Sequence, residues 1–229
     1  MGKLSVIIVN FNTERFVKEC VSSINVHYID KKVEIIIVDN NSSNRNISKV
    51  LSDFKNVNII FSDKNKGFGA GCNLGARNAS NEFLLFLNPD TKVTEGAIEL
   101  LLEKFENNKE IGICTGILLD ENQKTQYSYN NFPGLKWEFK EATSLGLKAG
   151  IKKLIKKIEL SKDEVMPIDW AHGAVLMIKK SLYEKINGFN EDYFLYYEDV
   201  DLQKRLADIR KTNYLVVGSK FYHHERSSI

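Results

Sequence analysis

Two rhythms of apolar residues alternate along the first half of the chain. Short, nearly unbroken apolar runs predict strands at Leu4 to Val9, Val33 to Val38, Val57 to Phe61, Glu82 to Leu87 and Ile111 to Leu119. Between them, apolar residues recurring at three- and four-residue steps predict helices. Thr13 can cap one whose stripe is Val17, Cys20, Val21 and Ile24, and others are predicted at Ile47 to Phe54, Ala70 to Ala79 and Gly96 to Phe105. This alternation implies an α/β fold, a mainly parallel central sheet with helices on both faces. Ligands of such sheets bind beyond the carboxyl ends of the strands. The residues at those ends are Asn10 and Asn12, Asp39 to Ser42, Asp63 to Gly67, and Asn88 to Thr91.

The second half is less regular. Residues 120–165 are polar, aromatic and rich in lysine, with Pro133-Gly134 as a turn. PIDWAHGAVLMIKKSLYEKINGF predicts a strand running into a short helix ended by Gly188. YYEDVDLQKRLADI predicts a helix with Val200, Leu202, Leu206 and Ile209 partly on one face. Two short strands, Tyr214 to Val217 and Lys220 to Tyr222, precede His223-His224. No repeat and no Pro/Gly/Ser linker is evident, so residues 1–120 and 121–229 are expected to form one continuous domain.

Composition narrows the class only a little. The 229 residues are 43% hydrophobic and 27% charged, an ordinary globular balance. A net charge of +2 gives no argument for nucleic acid as a partner. No apolar run approaches the roughly 20 residues that span a bilayer. LSVIIV is too short, and its continuation too polar, for a secretory signal. Cys20, Cys72 and Cys114 are odd in number and lack CxxC spacing, which points to reduced thiols and a cytoplasmic location.

Several stretches carry candidate chemistry, each beside a plainer structural use. Asp39 in IIIVDNNSSN either accepts a hydrogen bond from a ligand such as a pyrimidine imide or caps the next helix with Ser42. Gly67, Gly69 and Gly71 let backbone approach a ligand, or serve a turn and a tight helix–sheet contact. The dinucleotide pattern GxGxxG is broken there, by Cys72 counted from Gly67 and by Leu74 counted from Gly69, and no Walker A sequence exists. Asn88-Pro89-Asp90 ends a buried strand. Asp90 can hold a hard cation on the oxygens of a nucleotide diphosphate, or the three residues form an Asx-type turn. Glu198, Asp199 and Asp201 fall at a helix start, where the dipole favours carboxylates. The alternative is a general base beside aromatic walls suited to a sugar ring. His223 and His224 are adjacent after a strand, so at most one faces a given site. Taken alone, they and His172 suit an exposed or core position more often than a ligand.

The order of these pieces is more specific than any one of them. SVIIVNFN, IIIVDNNS, NKGFGAGCNLG, LFLNPDT, DWAHGAVLMIKK, GFNEDYFLYYEDVDLQKR and YHH follow one another as in family 2 glycosyltransferases. The chain resembles bacterial rhamnosyltransferase-like members over essentially its whole length, least over residues 120–165. The resemblance implies a GT-A fold, with a nucleotide-sugar-binding half (residues 1–120) and a mixed acceptor-binding half (residues 121–229). Carried onto this sequence, it places Asn10 and Asn12 in the donor site and gives Asp39 the uracil or thymine ring. Asn65 and Gly67 border the nucleoside, and Asn73 supports their loop. Asn88-Pro89-Asp90 stands for the D-x-D motif, with Asp90 holding Mg2+ or Mn2+; Asn88 in place of the first Asp leaves one carboxylate fewer on the metal. Trp170 and Gly173 line the donor sugar and acceptor region. Asp199 is the catalytic base, with Glu198 and Asp201 supporting the acceptor pocket or the helix cap. His223, alternatively His224, joins the metal or diphosphate.

The implied reaction is inverting transfer of a sugar from dTDP-rhamnose or a UDP-hexose. The acceptor is a hydroxyl of a glycan or lipid-linked saccharide in cell-surface polysaccharide synthesis. The broken GxGxxG counts against a dinucleotide enzyme. VNFNTERF lacks the glycines that a nucleotidyltransferase would bring. A non-catalytic nucleotide- or glycan-binding protein differs in releasing no product. Residues 148–160, in LKAGIKKLIKKIEL, place Ile151, Leu154, Ile155 and Ile158 on one helical face beside four lysines. Such a helix either packs on the core or makes a peripheral contact with the inner face of the cell membrane.

Overall fold

The computed structural model describes residues 4–28, 33–132 and 164–224. Strands β1 (Leu4–Asn10), β2 (Glu34–Asp39), β3 (Val57–Phe61) and β4 (Phe83–Leu87) lie parallel in the order β3-β2-β1-β4. Every residue of β1 and β4 is buried, because helices cover both faces. Helix α1 (Glu14–Tyr28) sets Val17, Cys20, Val21 and Ile24 against one face. The next helix, α2 (Ile47–Val50), is short. Helix α3 (Phe68–Asn78) sets Cys72 and Ala76 against the other face. Gly75 lets α3 come so close to the sheet that a Cβ there would strike Ile7.

The remaining elements are β5 (Thr91–Val93), α4 (Ala97–Asn107), β6 (Ile111–Leu119), β7 (Tyr129–Asn130), β8 (Val165–Ile168), β9 (Trp170–Ala171), β10 (Val175–Lys179), α5 (Lys180–Lys185), α6 (Glu198–Asp208) and β11 (Thr212–His223). Strand β10 inserts between β4 and β6 and runs antiparallel to both. Its amino end therefore meets the carboxyl end of β4, with Val175 opposite Leu87. Strand β11 lies parallel to β6, and β5 and β8 pair antiparallel with it. Strands from both halves of the sequence thus form one sheet, parallel except for β5, β8 and β10.

Several local expectations change. The helix foreseen over Ile47 to Phe54 is one turn, ending at Val50 with Leu51 as its C-cap, because only Ile47 and Leu51 there are buried deeply enough to hold it. The strand foreseen within PIDWAHGAVLMIKK is three strands, because residues 169 and 172–174 interrupt the ladder. The two strands foreseen over Tyr214 to Val217 and Lys220 to Tyr222 are one strand with a register shift between Val216 and Lys220. The extra residues bulge, and Ser219 turns inward to donate to the Ala97 carbonyl at 2.8 Å. Cys20, Cys72 and Cys114 are free and buried. Among the described residues no helix is long and apolar enough to cross a membrane. The Pro133-Gly134 turn and the basic helix over residues 148–160 lie outside the described residues.

Candidate active site

The carboxyl ends of β1, β2 and the loop after β3 are knitted together by short polar side chains. Asp39, fully buried, accepts from the Asn10 amide at 2.7 Å through one oxygen and from the Ser42 N–H at 2.9 Å through the other. These bonds hold the loop after β2; Asp39 does not cap α2, whose N-cap residue is Asn46 and has no side-chain cap bond. Asn10 in turn accepts from the N–H and hydroxyl of Thr13, and Ser42 accepts from the N–H of Asn12. The buried Asn40 amide spans to the neighbouring loop, donating to Asn65 Oδ1 at 2.9 Å and to the Gly67 carbonyl at 3.0 Å. Gly67 has φ +92° and faces the Phe194 carbonyl so closely that no Cβ fits between them. Asn12 also sits at positive φ, and Phe11 beside it is 44% exposed at the mouth of this cluster.

Asn88-Pro89-Asp90 turns the chain from β4 into β5, with the Thr91 N–H bonded to the Asn88 carbonyl at 3.1 Å. Asp90 is 3% exposed, and the β5–β11 register sets Thr91 opposite His223. His223 Nε2 stands 3.4 Å from Asp90 Oδ1. His224 points elsewhere, its Nδ1 2.9 Å from Glu121, while its N–H donates to the Asp90 carbonyl at 3.1 Å. Gln126 explains how the His223 ring is set. Its amide nitrogen donates to the His223 carbonyl at 2.9 Å, so its oxygen must be the atom 3.1 Å from Nδ1. Nδ1 then carries the proton, and in the neutral ring Nε2 turns a lone pair toward the Asp90 carboxylate. Two acceptors face to face call for a cation or a proton between them. One carboxylate oxygen and one imidazole nitrogen suit a divalent ion that takes its other ligands from phosphate and water. Among the described residues no group of three or more His, Cys, Asp or Glu side chains is placed to hold a metal by itself.

Asp199 lies in the first turn of α6, 9% exposed. Its Oδ1 accepts from the Val200 N–H and its Oδ2 from the Gly173 N–H, both at 2.8 Å. Gly173 belongs to a short platform, Ala171 to Ala174, whose backbone is held on all sides. The Ala171 N–H and carbonyl bond the Gln203 side chain, the His172 N–H donates to the Ser128 carbonyl, and the Ala174 carbonyl accepts from Asn88. Trp170 leads into the platform, and its indole N–H donates to the Asn131 carbonyl at 2.9 Å. Glu198, next to Asp199, is 6% exposed and leaves Oε2 without a partner. Burial, assisted by the Asp199 charge and opposed by its own backbone N–H, pushes its carboxyl up to about 7.

Other expected residues serve the frame around the cleft. Asn73 ties α3 to the segment before α6, donating to the Phe189 carbonyl and Glu191 and accepting from the Tyr183 hydroxyl and the Phe189 N–H. Asp201 pairs with Arg205, which also donates to the Ile186 and Gly188 carbonyls. From that frame emerges the run Tyr193 to Tyr197, all exposed, with Tyr196 and Tyr197 at φ 69° and 67°. Gln126 and Gln203 were not anticipated. Gln203 had a signal, a polar residue on the buried stripe of α6 one turn after Asp199; Gln126, in a polar stretch, had none.

A family model described as glycosyl transferase family 2 matches residues 5–184, and one described as the N-terminal domain of galactosyltransferase matches residues 158–225. The rhamnosyltransferase WbbL of Escherichia coli strain K12 is 29% identical over 211 residues, covering 88% of this chain and 76% of that protein. An N-acetylglucosaminyl-diphospho-decaprenol L-rhamnosyltransferase of Mycobacterium tuberculosis is 22% identical, covering 87% and 69%. The crystal structure of GalNAc-T7 with UDP, GalNAc and Mn2+ superposes with a TM-score of 0.74 at 14% identity, over 96% of this chain and 43% of that one. The chain spans 60–76% of the length of the first three curated relatives that it matches. The fold is that of the GT-A glycosyltransferases.

Proposed function

The chain belongs to glycosyl transferase family 2, and on that premise we propose that it moves a sugar from a nucleoside diphosphate carrier to an acceptor hydroxyl with inversion. The observation that carries this reading is the pairing of two anchors beside the adjoining ends of β4 and β10: Asp199 of α6 held by the Gly173 amide, and Asp90 facing His223, linked through the Asn88–Ala174 hydrogen bond.

The nucleoside lies at the carboxyl ends of β1 and β2, bordered by Asn10, Asn12, Asp39, Asn65 and Gly67, with the exposed Phe11 ring offering a face to the base. Asp90 and His223 hold a divalent cation, Mg2+ or Mn2+, and Asn88 stands by the phosphates. Such an ion, when bound, offsets the charge that builds on the departing diphosphate. Trp170 and Gly173 border the transferred sugar. Asp199, fixed by two N–H groups, takes the proton of the acceptor hydroxyl as its oxygen attacks the anomeric carbon. Glu198, pushed up to about 7, is only partly ionised at neutral pH and so adds less than a full second charge beside the base. The mycobacterial relative's name points to a lipid-linked saccharide as acceptor, and WbbL's to rhamnose as the sugar. We place the reaction on a dTDP- or UDP-linked sugar at the inner face of the cell membrane.

The test is release of nucleoside diphosphate from a panel of dTDP-, UDP- and GDP-sugars, with and without Mn2+ and a prenyl-diphosphate saccharide. Cation-dependent release from one carrier class is expected. A protein that binds nucleotides but turns over no member of the panel would be a binder.

A further inference from the structure

The platform between the two anchors carries one large side chain. Its sequence is Ala171-His172-Gly173-Ala174; Ala171, Gly173 and Ala174 are buried, and His172 is exposed. The backbone there is rigid, because the Ala171 N–H and carbonyl, the His172 N–H, the Gly173 N–H and the Ala174 carbonyl are all engaged. The point from which the His172 side chain projects is therefore set by the fold. On one side, the very next amide holds Asp199. On the other, the His172 ring lies 6.0 Å from the His223 ring, whose Nε2 faces Asp90.

A displacement at an anomeric carbon puts the base on one face of the sugar and the leaving phosphate on the other. The sugar ring itself must occupy the space between. His172 stands at that interval, flanked by residues too small to reach into it. We infer that His172 reads the transferred sugar, its imidazole exchanging a hydrogen bond with a ring hydroxyl and so selecting among donors that share a nucleotide but differ in sugar. This rests on the sugar-transfer reading above. An imidazole offers one donor and one acceptor in its neutral form, which matches a hydroxyl's own pair. Sites built to bond a hydroxyl reject the analogue that lacks or inverts it, because their polar group is then left unpaired.

The experiment compares wild type, His172→Ala and His172→Gln on dTDP- and UDP-sugars that differ at single hydroxyls, reading nucleoside diphosphate release. Calorimetry measures binding of dTDP and UDP alone with Mn2+. In His172→Ala, kcat/KM for the preferred donor should fall about 10- to 100-fold. The ranking of sugars should flatten, and binding of the free nucleotides should stay within about twofold of wild type. His172→Gln should recover part of the preference. An equal fall for every donor with the ranking intact, or a parallel loss of free-nucleotide binding, would overturn the inference. So would a variant indistinguishable from an active wild type. If wild type itself releases nucleotide from no donor, the sugar-transfer reading falls as well.

Discussion

The amide of Gly173 donates to Oδ2 of Asp199 at 2.8 Å across 26 residues of sequence. The carboxylate is on α6 and the amide leads into β10, so the aim of the side chain depends on two elements docking correctly. The Gln203 side chain secures that docking by matching both polar groups of Ala171. An Asn at position 199 cannot accept from both N–H groups, because one of its ends is itself a donor. Asp199→Asn should lower kcat by about 10³-fold or more while dTDP and UDP affinity stays near wild type. Single-turnover transfer beside nucleotide calorimetry checks it, and turnover within tenfold of wild type would remove Asp199 from its role.

Gln126 holds His223 through that residue's carbonyl and Nδ1, and in the proposed site it would act on the cation through the ring. Replacing it by Leu removes the oxygen that keeps the proton on Nδ1, so Nε2 no longer presents its lone pair reliably. The Mn2+ concentration for half-maximal nucleotide binding should rise about 10- to 100-fold in Gln126→Leu, as is usual when the outer partner of a ligating histidine is lost. Asp90→Ala should lose the Mn2+ response altogether. A Gln126→Leu titration that overlays wild type would mean that His223 does not meet the ion.

Glu198 makes stability depend on pH. Below its ordinary value of 4.5 the carboxyl is protonated in both folded and unfolded chains. Between 4.5 and about 7 the unfolded chain ionises it while the folded chain keeps it neutral, so its contribution turns unfavourable as pH rises through that window. Glu198→Gln escapes this loss. Its stability relative to wild type should improve by about 1–2 kcal/mol between pH 5 and pH 8, allowing for partial solvent screening. Urea midpoints at the two values decide it; a constant difference would place the carboxyl in water.

Gly67 couples the loop after β3 to the aromatic segment. A methyl group there would need both a left-handed backbone and the space of the Phe194 carbonyl. Gly67→Ala should cost about 2 kcal/mol or more in stability. Nucleotide affinity should fall with it, since the Phe68 N–H also bonds Phe194. Thermal melts with and without UDP separate the two effects.

What could be seen in the chain beforehand follows from length and burial. Strands buried on both faces and helices with a clean stripe announce themselves, so β1 to β4, α1, α3 and α4 fell near their expected places. β5, β7 and β9 are two or three residues long and carry no period to detect. The direction of β10 is invisible in VLMIK, since an apolar run reads alike whichever way its neighbours point. His223 and His224 could not be told apart until β5 paired with β11 and set one of them on Asp90. Asn73 was expected at the glycine loop but serves the 189–191 segment, a partner 116 positions away that no local pattern reveals.

The antiparallel insertion of β10 has a further consequence. The Asn88–Ala174 hydrogen bond continues the β4–β10 pairing by one step, so the turn that carries Asp90 and the platform that holds Asp199 are joined strand to strand and not by a hinge. On the proposed reaction, alignment of nucleophile and leaving group would then be anchored in the buried sheet. If His172 reads the sugar as proposed, exchanging that one side chain would alter which substrate is taken without disturbing the axis of the chemistry. A lineage built this way can diversify its substrates by point substitution while its reaction geometry stands still.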